Sequence, residues 1–482
     1  MKISWKNVSL FLITALLITL FLFFRLYKIK TSLLFAVDMG RDLLALRLWW
    51  EKGTPPLLGP QTSTIPFNQS ALYFYLLYPL FLITKHSPFS TIYTCSLIYI
   101  SFFIVGVFLL KNRPAWLKSL FVAWLLLSLQ PQFIIQHRFV WNPSFVAPFL
   151  MAAFYFFAKL LERYSLKTLI LFSLGLTTAV SLSFSVAPVF IAYVFFAFLK
   201  LRKKFIPLVL SLGASLFILN LPTLFFELRH QFTLAKQMLT YPRLAQEQTD
   251  IIVRSSKLFQ YTISPYPPFW PGIILLAIIS IGIYLLLKNR SQSKAIRESQ
   301  ILLRQALFLL AATLFFTFII PWDMQSHFIF GILTLGIIII SLLPYQTLAP
   351  ILILILALWL RPTQAKSYFN PANRTVEETQ ECAQKVCAQE KDPLFLSVQS
   401  GLFPYHTGQT FRFLFKEAGC NIRAIETEPQ SAQKMALIVE ESRYNPEKTS
   451  FYELTLFGPK KEIKKYECLD NLQVYILEKI SP

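Results

Sequence analysis

Runs of apolar residues, each about as long as a bilayer is thick, follow one another from the amino terminus to Leu360. A helix needs roughly 17–25 such residues to cross the hydrocarbon core. By that measure the sequence predicts spans near 8–24, 89–110, 119–136, 144–161, 168–184, 185–199, 205–226, 271–287, 301–320, 328–343 and 348–360. The last two are short, and 168–199 is almost continuous, so pattern alone leaves its division open. Lys2 and Lys6 precede the first run as they would in a signal peptide. Its apolar part is longer than a usual signal core and no small-residue cleavage site follows, so a retained anchor is expected.

Charge then orients the spans. Only 15% of the chain is charged, against about 25% in soluble domains. The net charge of +21 would suit a nucleic-acid partner, but its location excludes that class. Residues 361–482 hold 16 Lys+Arg and 16 Asp+Glu, whereas residues 1–360 hold 30 and 9. Lys111-Asn112-Arg113, Arg163 with Lys167, Lys200 to Lys204, and Lys288-Asn289-Arg290 fall at every second connection, as cytoplasmic loops do. Residues 137–143, 227–270, 321–327 and everything after 361 are then outside, with the amino terminus inside. The run 71–84 upsets this parity if it crosses, and at about 14 residues it suits a re-entrant or interfacial segment. Seven of the nine acids of the first part then face outward, all except Glu162 and Glu298. The expected architecture is an all-α polytopic membrane domain of about 11–12 hydrophobic helices over 1–360, followed by a small extracytoplasmic α/β domain over 361–482.

Carboxylates near lipid are costly and tend to have a task. After the first span comes Val37-Asp38-Met39-Gly40-Arg41-Asp42, continuing to Trp49-Trp50-Glu51-Lys52-Gly53. At 100° per residue Met39, Leu43, Leu46 and Trp50 share one face, and Asp38, Arg41, Asp42 and Lys52 the other. Such a helix would lie in the membrane surface. Asp38 stands at its start, where the helix dipole favours a carboxylate. Taken alone this is an N-terminal Asp with an Arg partner.

Three stretches carry a resemblance. Asp38-x-Gly40-Arg41-Asp42 after a first span, Gln136-His137-Arg138-Phe139-Val140-Trp141-Asn142-Pro143, and Leu221-Pro222-Thr223-Leu224-Phe225-Phe226-Glu227-Leu228-Arg229-His230 occur in that order. They resemble the outer-face motifs of bacterial GT-C glycosyltransferases. These are multi-pass relatives of the dolichyl-phosphate-mannose protein mannosyltransferases (glycosyltransferase family 39) and of the aminoarabinose transferases of lipid A. The likeness covers about residues 1–345. It implies an integral-membrane transferase of the cell membrane that moves a sugar from a polyprenyl-phosphate donor to an acceptor on the outer face, usually with inversion. The family's first-loop Asp carries over to Asp38 as general base. Fixed cations would stabilise the departing lipid phosphate, and Arg138, Arg229 and His230 match the motifs. Arg41 is a further candidate, with a pair to Asp38 or Asp42 as its alternative. Asp42 is placed beside the substrate, Glu227 is either a second carboxylate or a partner of Arg229 or a neighbouring loop, and His327 is a substrate contact opening a late span. The family's His near 180–188 is replaced by Ser181-Leu182-Ser183-Phe184-Ser185, so that role is in doubt. No cofactor is expected, with a carboxylate metal site at Asp38 and Asp42 left open.

The carboxyl-terminal region reads as strands at 393–399, 421–427, 435–440, 451–457 and 472–478 with a helix at 408–418. Cys382, Cys387, Cys420 and Cys468 form an even set suited to disulfides outside the cytoplasm. Cys382 and Cys387 pair with each other or separately with Cys420 and Cys468. A transporter of lipid-linked sugars would show ionisable residues at mid-membrane and internal repeats, and the sequence shows neither. A catalytically degenerate membrane scaffold is the third reading.

Overall fold

The computed structural model describes residues 5–33, 35, 37–61, 68–244, 294–319, 326–360, 366–400, 408–440, 452–469 and 471–480, with a few isolated positions between 245 and 293. The span expected at 271–287 lies outside the described residues, as does Asp323. Cα packing divides the chain into two compact units. The first takes Met1–Tyr27, Pro56–Leu77 and Ile92–Tyr368; the second takes Lys28–Pro55, Tyr78–Thr91 and Phe369–Pro482. Residues from 369 onward are thus joined by two segments from the first hundred.

The first unit is a bundle of apolar helices, and the chain is a multi-pass membrane protein. Five described stretches are long and apolar enough to cross a bilayer: Asn7–Leu26, Ser90–Leu110, Asn142–Glu162, Phe184–Leu219 and Ile296–Ile319. Shorter apolar helices are Leu72–Ile83, Leu166–Leu182, His327–Leu342 and Thr347–Ala357. The run read at 71–84 forms only 12 helical residues, rising about 18 Å against a core of about 30 Å. The span read at 119–136 is in fact two helices, Pro114–Leu129 and Pro131–Arg138, bent by 65°. Pro131 cannot donate to the preceding turn, and the Gln130 side chain instead accepts from the Phe133 amide at 2.9 Å. The open division in 168–199 falls at Ser183, whose backbone is extended. The segment read as one span at 205–226 stops at Leu219 and restarts as Leu221–Arg229, with Pro222 in its first turn. Aromatic rings fill the interior: Phe21 lies 4.8 Å from Trp124, which stacks on Phe103 at 4.2 Å.

In the second unit, β1 (Leu394–Ser400), β2 (Lys434–Glu440), β3 (Lys460–Leu469) and β4 (Leu472–Lys479) form one sheet ordered β1-β2-β4-β3. β1 and β2 are parallel, and β2–β4 and β3–β4 are antiparallel. Helices Val376–Gln389 and Gln409–Glu417 belong to this unit. Two of the expected strands are absent: residues 421–427 contribute a single bridge, Leu394 to Ile422, and Tyr452–Phe457 is helical. The cysteines close Cys382–Cys468 and Cys387–Cys420, separate bridges across helix, strand and loop.

Candidate active site

Asp38 enters through the helix Val37–Lys52. Most of this helix's apolar face is covered by protein. Met39, Leu43 and Leu46 are fully buried, and the helix packs within the second unit against Gln409–Glu417. Gly40 makes this possible: a Cβ there would stand 2.6 Å from the Thr410 amide nitrogen and 2.7 Å from its Oγ1. Ion pairs extend the contact, with Arg47 Nε 2.8 Å from Glu417 and Lys416 Nζ 3.0 Å from Glu51. Burial raises the Glu417 carboxyl above its usual range, although Arg47 and the nearby His86 pull against that. Trp49 stacks on Tyr78 at 3.6 Å, while Trp50 is exposed.

One arginine serves both acids of the motif. Arg41 Nη1 donates to Asp38 Oδ1 and its Nε to Asp42 Oδ1, each at 2.8 Å. The ion-pair alternative for Arg41 is therefore present, and to both carboxylates at once. The Asp38 side chain is 36% exposed, whereas that of Asp42 is fully buried. Asp42 thus leaves the polar face that the helical wheel assigned to it. Its burial suits an anchor for Arg41, and Asp38 presents the accessible carboxylate. Among the described residues no cluster of His, Cys, Asp and Glu is built to hold a metal, and a cation shared by Asp38 and Asp42 would compete with Arg41.

The other candidates belong to the first unit. Arg138 is buried, and its Nη1 donates to the carbonyls of Phe24, Arg25 and Tyr27 at 3.2–3.3 Å. It thereby caps the end of the helix Trp5–Leu26, whose last carbonyls lack partners within the helix. Arg25 completes the joint from the other side. It is fully buried, donates from Nε to His137 Nδ1 at 3.0 Å, and reaches the carbonyls of Leu127 and Ser128. Sequence reasoning missed Arg25, taking it as the flank of a span ending at 24. The signal was there as the lone cation in that helix's last turn.

Glu227 spends both oxygens on the next helix. Oε1 accepts from the Leu234 amide at 3.0 Å and Oε2 from Ala235 at 2.9 Å, which caps Thr233–Leu244. Among the described residues it forms no ion pair, to Arg229 or any other cation. Arg229 and His230 are exposed, and His230 stacks on Phe226 at 4.0 Å with its Nδ1 2.8 Å from the Phe226 carbonyl.

His327 meets the Trp-Asn-Pro motif. Its ring lies 5.0 Å edge-on to Trp141, whose indole N–H donates to Gln136. Asn142 Nδ2 donates to the Leu182 carbonyl at 2.9 Å, and Asn220 Nδ2 to Ser181 Oγ at 2.9 Å. Motif residues 136–142, the serine-rich break at 181–185 and the foot of the late helix therefore form one polar neighbourhood. Ser183 and Ser185 hydrogen-bond each other at 2.7 Å within that break.

An apolar helix bundle followed by a small mixed-sheet domain is the architecture of the GT-C membrane glycosyltransferases, and the chain has that fold. Solved structures agree over the full length. ArnT from Cupriavidus metallidurans bound to undecaprenyl phosphate superposes with a TM-score of 0.60 at 8% identity, covering 98% of both chains. The same protein in the apo state gives 0.59 at 10% identity, again covering 98% of each. No family model matches the chain, and no curated protein matches its sequence.

Proposed function

We propose that the chain is a membrane glycosyltransferase that takes its sugar from a polyprenyl-phosphate carrier and passes it to an acceptor on the outer face of the cell membrane. The observation that carries this is the GT-C fold, shared over 98% of both chains with a protein whose structure holds undecaprenyl phosphate. Asp38 acts as the general base. Arg41 holds one of its oxygens at 2.8 Å, which orients the carboxylate toward an incoming hydroxyl. As the acceptor oxygen attacks the anomeric carbon, its proton passes to Asp38 and the bond to the lipid phosphate breaks. Arg229 and the ring of His230, both exposed, are assigned to the charge that develops on that phosphate. His327 beside Trp141 is assigned to the sugar, since a ring edge and an aromatic face suit a pyranose. Arg138 and Glu227, with carbonyls and amides already on them, are assigned to holding the scaffold.

The amino terminus is placed in the cytoplasm and the α/β domain outside, on the distribution of basic loops. Two disulfides in the second unit favour the same side. Full-length protein in proteoliposomes, supplied with radiolabelled polyprenyl-phosphate sugars and a membrane extract as acceptor source, tests the reading. Label moving from lipid to acceptor supports it. Label that only changes leaflet favours the transporter reading, and its absence from both favours a scaffold.

A further inference from the structure

Helices Ser90–Leu110, Pro114–Leu129, Val146–Glu162 and Leu166–Leu182 enclose a cavity of about 340 Å³ within the first unit. Ligand pockets begin at about 300 Å³. The cavity lies at the helix ends joined by the basic connections 111–113 and 163–165, with Arg113, Lys159 and Lys167 on its wall. Its depth is apolar, lined by Phe103, Leu120 and Met151 among others. None of the residues assigned to transfer lines it, so it is a second place.

The wall points to a guest with an apolar tail and an anionic head, because its depth is apolar and its charge is one-sided. Arg113 is shared, bonding Glu162 at 2.7 Å and lying 5.1 Å over the Trp116 ring. Lys159 and Lys167 are exposed at the same rim.

We propose that this cavity binds an acyl chain of an anionic phospholipid, with the phosphate between Lys159 and Lys167. The basic connections place it at the cytoplasmic leaflet, where anionic lipids attract such residues. A choline headgroup would bring its own cation to the lysines and be disfavoured.

Native mass spectrometry of the detergent-solubilised full chain, titrated with phosphatidylglycerol, phosphatidylcholine and polyprenyl phosphate, tests this. Phosphatidylglycerol should be retained at least tenfold better than phosphatidylcholine. Lys159→Gln with Lys167→Gln should weaken it by roughly fivefold per lysine, and Ala152→Phe, which fills the cavity, should abolish it. Lys461→Gln with Lys465→Gln, on a strand of the second unit and absent from the cavity wall, should leave it unchanged. The proposal is overturned if the two phospholipids bind alike, if the distant pair of substitutions weakens binding as much as the rim pair, or if polyprenyl phosphate outcompetes phosphatidylglycerol.

Discussion

The backbone of Gly40 lies directly against that of Thr410, so close that a Cβ on Gly40 would come within 2.6 Å of the Thr410 amide nitrogen. The glycine of the Asp-x-Gly-Arg-Asp motif is thus a packing requirement of the second unit. It sets where the helix bearing Asp38 can sit.

Gly40→Ala should therefore act on both stability and transfer. Overpacking typically costs about 1–3 kcal/mol, and here the obstacle is backbone, which cannot rotate away. A thermal melt in detergent should show a lower midpoint, and transfer by the folded fraction should fall because Asp38 is displaced. Wild-type behaviour on both counts would show that the two helices separate without consequence.

Arg25 and Arg138 make a different prediction. Removing Arg25 leaves His137 and two buried carbonyls unpaired, at roughly 1–3 kcal/mol for each unsatisfied group. Arg25→Met should lower the yield of monodisperse protein in size-exclusion chromatography. Arg138→Gln should do the same to a lesser degree, with KM for the lipid donor unchanged in what folds. A large KM effect at full stability would return Arg138 to the phosphate.

Glu227 is assigned to capping, where loss of the side chain typically costs about 1 kcal/mol. Glu227→Ala should destabilise by about that amount, and Glu227→Gln, which keeps one acceptor oxygen, by less. Neither should move the pH profile of transfer, as loss of a second catalytic carboxylate would.

Glu426 provides a pH test in the second unit. Burial alone would raise its carboxyl, but the hydrogen bond and charge of Arg412 at 2.7 Å outweigh this and hold it below the ordinary 4.5. A depressed folded value means the bond's stabilisation is present above that ordinary value and is lost as pH falls through the folded one. The difference in melting midpoint between wild type and Glu426→Gln should thus be steady near neutrality and shrink below about pH 4.5. A constant difference down to pH 3 would contradict the pairing.

The apolar runs and basic loops were legible because lipid demands long uninterrupted helices and charge marks their ends. Pro131 and Pro222 were visible too, but counting apolar runs by length hides the helix breaks they cause. The helical wheel found the buried face of Val37–Lys52 yet assigned it to lipid, since a partner 370 residues onward leaves no local trace. Asp42 was misplaced for the same reason. A wheel sorts residues by angle and does not see Arg41 folding over both carboxylates. Arg25 and Glu227 show the reverse problem, charged residues whose partners are mostly backbone groups with no sequence signature. In the second unit Tyr452–Phe457 alternates like a strand and folds as a helix, packing Leu454 and Phe457 into the core.

Transfer by Asp38→Asn protein tests the central claim most directly, using folded enzyme in proteoliposomes with the polyprenyl-phosphate sugar that the wild type accepts. Asparagine keeps the shape and an oxygen for Arg41 but cannot take a proton, and a positioned base contributes roughly 10²–10⁴-fold. The account predicts a loss of at least a hundredfold in the transfer rate, with the melting midpoint and donor binding close to wild type. Transfer at an undiminished rate by Asp38→Asn would contradict it.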